Sequence, residues 1–134
     1  MKSVDQITEE KLKDIHFETI EWKSSLQFIG TEILFIKQLL KSNAFKPNTP
    51  NLFERLLEFK NQIVVVEEII KDITIDITKF ENLLGNSIAH DFTTYIDAYF
   101  KEYQLLNTKF NQGVKKFKEF KEEIFNYTGN ILRE

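Results

Sequence analysis

Apolar residues recur in steps of three and four along nearly the whole chain. The first run is Leu12, Ile15, Thr19, Trp22, Leu26, Ile29, Ile33, Ile36, Leu40. The second is Leu52, Leu56, Phe59, Ile63, Val66, Ile70, Ile73, Ile77, Phe80, Leu84. The third is Phe92, Ile96, Tyr99, Tyr103, Leu106, Phe110, Gly113, Phe117, Phe120, Ile124, Tyr127, Ile131. Only Thr19 and Gly113 are not large apolar or aromatic residues. A 3–4 repeat holds one seam of an α-helix toward its neighbours, and predicts long helices at shallow crossing angles with a left-handed supercoil. The segment Ile73-Thr74-Ile75-Asp76-Ile77-Thr78 alternates as a strand would. The heptad phase passes through it unshifted, which assigns it to a helix.

The residues between the runs place the breaks. Asp5 or Thr8 can cap the first helix, with Glu9 and Glu10 near its positive end. Pro47 and Pro50 interrupt the stretch from Asn43 to Asn51, and Pro50 suits a first helical position after Thr49. Gly85-Asn86-Ser87 predicts a tight turn, and Gly129 can close the last helix. The helices expected are thus residues 6–43, 50–84 and 87–128, each roughly 50 Å long at ~1.5 Å per residue. Short connections force antiparallel neighbours. The expected fold is all-α: one domain, residues 1–134, forming an up-down-up three-helix bundle of spectrin-like or coiled-coil character.

Composition narrows the class. A 42% apolar fraction with 13 Phe supplies a core for 134 residues. The chain has no cysteine, which excludes thiol catalysis, disulfides and thiolate metal sites. No signal peptide and no apolar run long enough for a bilayer are seen, so a cytoplasmic protein without membrane contact is expected. The net charge is −3. Its densest basic stretch, Lys115, Lys116, Lys118 and Lys121, is interleaved with Glu119, Glu122 and Glu123. That local balance reads as a solvated helix face rather than a nucleic-acid site. No cofactor is expected.

Several large apolar residues fall outside the seams. Phe28 and Phe35 share one position a heptad apart, Ile20 and Leu34 another. Leu57, Val64, Val65 and Ile75 on the second helix, and Leu105 and Phe125 on the third, are also off-seam. Burying each such side chain contributes roughly 1.5–3 kcal/mol, so a protein interface is expected. Phe28 and Phe35 are the first candidate face, with Leu57, Val64, Val65 and Ile75 the second. The expected partner is protein, either another helical protein or a second copy in a homodimer. Gly30 and Gly113 lie inside helices, where each costs about 1 kcal/mol against Ala. Both are read as points of close helix approach near Val64, Val65 and Val66.

Two histidines carry the candidate chemistry. Ile88-Ala89-His90-Asp91-Phe92-Thr93-Thr94 resembles the phospho-acceptor box of sensor histidine kinases, His-(Asp/Glu)-x-x-(Asn/Thr). The resemblance implies phosphorylation of His90, with Asp91 as its activating acid and Thr94 assisting transfer. Thr93 stands where that family carries Asn, and no Pro follows Thr94. A phosphotransfer or histidine-kinase-regulating bundle is therefore the alternative function, behind a solvated His90. A metal site at the end of the bundle shared by His16 and His90 is a further alternative. No Glu-x-x-His or His-x-x-x-His spacing supports it. Tyr99, Tyr103 and Tyr127 are seam residues whose hydroxyls must find partners or reach the rim. Trp22 is read as core, and Ser24 and Ser25 have no base on the same turn to activate them. The function expected is a non-enzymatic helical scaffold or protein-interaction module, self-associating through apolar helix faces.

Overall fold

The computed structural model describes the backbone of residues 4–89 and 92–133, and the side chains of residues 8–83 and 96–133. Three α-helices follow in order: α1 (Val4–Lys41), α2 (Leu52–Ala89) and α3 (Phe92–Gly129). They form an up-down-up three-helix bundle, as the seams require. Lys23 pairs with Glu81 and Lys37 with Glu67, so α1 and α2 run antiparallel. Glu18 meets Tyr103 and Glu32 meets Lys121, so α1 and α3 run parallel. Asp76–Lys109 and Arg55–Glu123 step in opposite senses along α2 and α3.

The core is the three seams. From Ile15 to Leu40, every residue of the first run is buried, and so is every residue of the second from Leu52 to Phe80. On α3, Tyr99, Leu106, Phe110, Phe117, Phe120 and Ile124 are buried, while Tyr103 and Tyr127 are half-buried. Thr19 is buried at its seam position and donates to the Ile15 carbonyl at 2.7 Å, which satisfies the hydroxyl without leaving the helix. The segment 73–78 is helical, and its threonines donate to carbonyls one turn back.

The boundaries differ from those expected. Asp5 and Thr8 lie within α1, which is already helical at Val4. Pro50 is a turn residue. Lys46–Thr49 and Thr49–Leu52 are closed by amide-to-carbonyl bonds of 3.2 and 3.3 Å, with Pro47 and Pro50 as their second residues. Proline presets φ for that position of a turn. Asn51 follows with φ 57°, a left-handed conformation that asparagine tolerates better than most. Its carbonyl accepts from the Arg55 amide at 3.0 Å and starts α2. Gly85, Asn86 and Ser87 stay helical, and α2 runs on to Ala89. The apolar spacing favours this, because Ile88 stands four residues after Leu84.

The loop after α1 is tied to the C-terminal tail. Lys46 N–H donates to the Ile131 carbonyl and Arg133 N–H to the Ala44 carbonyl, both at 2.7 Å. Phe45 and Leu132 thus form an isolated antiparallel bridge. Arg133 Nε adds a bond to the Phe45 carbonyl at 3.0 Å. The bridge holds Phe45, which belongs to no seam, in the core.

Candidate functional site

The ion pairs fix which flank of each helix meets which neighbour. On α1, Lys23 and Lys37 face α2, while Glu18 and Glu32 face α3. The remaining surface points away from the bundle. Phe28 (65% exposed), Leu34 (57%) and Phe35 (57%) lie on it, together with exposed Ser24, Gln27, Thr31 and Gln38. Between Glu21 and Lys41 the only charged residues are Lys23, Glu32 and Lys37. Each is held by a partner across the bundle: Glu81, Lys121 and Glu67 respectively. An uncharged strip with three large apolar side chains is left on the outer face, in a chain that is 29% charged.

The second candidate set does not form one surface. Leu57 and Val64, a heptad apart, sit on the flank of α2 that turns toward α1, each more than half exposed. Val65 lies on the opposite flank, lining a groove toward α3 with Lys116 and Glu119. Ile75 edges a third region, an open depression of about 400 Å³ between α1 and α2 that Leu26, Gly30, Ile33, Ile70 and Thr74 also line. Gly30 is therefore not a point of close approach: a Cβ added there would meet nothing within 4 Å. Gly113 is one. A Cβ there would collide with Cδ1 of Ile73 and touch Cγ2 of Ile69 at 3.4 Å. Its neighbours are these isoleucines rather than Val64 to Val66. The distinction follows from register, because Gly113 is a seam position and Gly30 is a flank position.

Aromatic rings pack together in both halves of the core, Phe59 with Phe120 and Tyr127 in the half nearer the end of α1. Trp22 stacks on Tyr103 and Phe110, with centroids 5.7 and 5.3 Å away, and Phe80 stacks on Tyr99 at 4.6 Å. The Tyr103 hydroxyl escapes to the rim and donates to Glu18 Oε2. Burial, and then the adjacent Glu18 carboxylate, push the Tyr103 hydroxyl up to about 12. Burial alone does the same to Tyr99. Tyr127 behaves differently. Its ring lies under the Arg55 guanidinium at 5.1 Å, and among the described residues its hydroxyl is the buried side-chain polar atom with no hydrogen-bond partner. Glu67 is held below the usual carboxylate range, chiefly by its hydrogen bond from Lys37 at 2.7 Å.

The proposed chemistry at the histidines falls mostly beyond what is described. His90 and Asp91 lie outside the described residues. Thr94 is in α3, but its side chain lies outside them too. His16 is exposed on α1 with its ring centroid 6.1 Å from that of Phe17. Among the described residues, no three His, Asp or Glu side chains converge as metal ligands. No helix of the described residues is long and apolar enough to cross a membrane.

The structure adds exposed apolar residues that the sequence reading passed over: Phe17 (64%), Phe53 (80%) and Leu132. Phe17 and Phe53 stand off the seams just as Phe28 does, so applying the register to every aromatic residue would have found them. Compared with protein-family models, with curated proteins and with solved structures, the chain has no match.

Proposed function

We propose that this chain is a non-enzymatic helical interaction module, in which the bundle is a rigid support and the outer face of α1 is the working surface. The observation that supports this is the exposure of Phe28, Leu34 and Phe35 on a strip where every charge between Glu21 and Lys41 pairs with a residue of α2 or α3. Removing a large apolar side chain from water contributes roughly 1.5–3 kcal/mol. A partner covering all three thus gains binding energy without disturbing the core. Leu57 and Val64 offer a smaller second face on α2, and Val65 and Ile75 serve as groove edges. The absence of cysteine supports a cytoplasmic setting.

The test is solution mass by light scattering for wild type and for Phe28→Ser combined with Phe35→Ser, with helicity followed by circular dichroism. Loss of association with helicity and thermal midpoint unchanged is the expected result. A double mutant that melts early, with no association in wild type, would instead make both phenylalanines part of the fold.

A further inference from the structure

The outer face of α1 carries a 3–4 stripe of its own: Glu21, Ser24, Phe28, Thr31, Phe35 and Gln38, all exposed. Large and small side chains alternate along its middle. The stripe also has polarity, with Glu21 at one end and Lys41 just past the other. Such a face is complementary to itself when reversed. Laid antiparallel about a twofold between Phe28 and Thr31, each Phe28 meets Thr31 of the second copy, and each Phe35 meets Ser24. The same register brings Glu21 of one copy within a helical turn of Lys41 of the other. Parallel pairing sets Phe28 on Phe28, Glu21 on Glu21 and Lys41 on Lys41, which crowds the rings and repels the charges.

We propose that a second copy of this chain docks antiparallel on the outer face of α1, seating each phenylalanine opposite a small residue and pairing Glu21 with Lys41 across the twofold. This rests on the interaction reading above and names its partner. The twofold places the two Thr31 side chains close to the axis. Gln27 comes opposite Leu34 at the edge, which covers the third large apolar residue of the strip. Glu32 and Lys37 stay engaged with Lys121 and Glu67, so docking needs no rearrangement of the bundle.

The lack of native cysteine makes the pairing directly testable, because an introduced thiol is unique. Thr31→Cys and, as control, Thr108→Cys on the exposed face of α3 are treated with a short bis-maleimide, each variant being checked for helicity. Thr31→Cys is expected to give a covalent dimer and Thr108→Cys to remain a monomer. In parallel, Lys41→Glu is expected to weaken self-association about tenfold, and adding Glu21→Lys to restore it. A dimer by mass in which Thr31→Cys does not cross-link, or in which the charge exchange fails to restore association, overturns this pairing and leaves the interaction module reading in place. A wild type that stays monomeric at every concentration overturns the second copy as partner. The module reading is then decided separately, by whether Phe28→Ser with Phe35→Ser leaves the thermal midpoint unchanged.

Discussion

At the scale of single residues, position relative to the seam decides what a side chain does. Gly30 and Gly113 are the clearest pair. Replacing Gly30 by Ala adds a methyl into open space, and is expected to stabilise the fold by about 0.5–1 kcal/mol through helix propensity alone. Replacing Gly113 by Ala gains the same propensity but drives a methyl into Ile73, which is fully buried. It is expected to destabilise by about 1–3 kcal/mol. Urea denaturation of the two variants should shift the midpoint in opposite directions. The titrating residues set two pH limbs. Tyr99 and Tyr103 bind their protons more tightly folded than unfolded, with both hydroxyls pushed up to about 12. Their contribution is complete below about pH 10 and is lost as pH rises toward the folded value. Tyr99→Phe with Tyr103→Phe should flatten the fall of the thermal midpoint on that limb. Glu67, held low by Lys37, works in the other sense. Its contribution is present above the usual carboxylate range and fades as pH falls through its lowered folded value. Glu67→Gln should remove that part of the acid limb, worth about 0.5–1 kcal/mol for a pair this close to solvent.

At the scale of elements, what was legible in the sequence is what repeats. From Ile15 to Leu40 and from Leu52 to Phe80, the period alone identifies buried positions, because a helix returns the same face inward every three or four residues. Off-seam exposure at Phe28, Phe35, Leu57, Val64, Val65 and Ile75 was legible by the same rule. Single-residue signals were less informative. Gly85 marks no turn, since a glycine costs a helix only about 1 kcal/mol and the apolar spacing runs on beyond it. Pro50 suits a turn as well as a first helical turn, and only the closing bonds of the loop tell them apart. The Phe45–Leu132 bridge had no signal at all, because it joins two short segments far apart in the chain. It has a consequence for the end of the bundle. Deleting residues 131–134 removes three backbone hydrogen bonds, the Arg133 Nε bond to the Phe45 carbonyl and the packing of Ile131. Stability should fall by about 2–3 kcal/mol, and the Lys46 amide should lose its protection from hydrogen exchange.

At the scale of the whole molecule, two sets of apolar residues coexist, one buried in the seams and one exposed. The inner seams fold the bundle, and each is complete without the outer strip of α1. Phe28, Leu34 and Phe35 are thus left for the assembly we propose, and ion pairing of Lys23, Glu32 and Lys37 with α2 and α3 engages every charge between Glu21 and Lys41. A chain that assembles through a surface outside its core is stabilised by mass action, and one that only folds is not. The most direct measurement is the thermal midpoint, by circular dichroism, across about a hundredfold range of protein concentration. The midpoint of the wild type should climb with concentration, and that of Phe28→Ser with Phe35→Ser should stay flat at the value wild type reaches when dilute. A flat wild-type midpoint, with the double mutant lower by a constant amount, would mean that both phenylalanines serve the fold and would contradict the separation of inner seam from outer face.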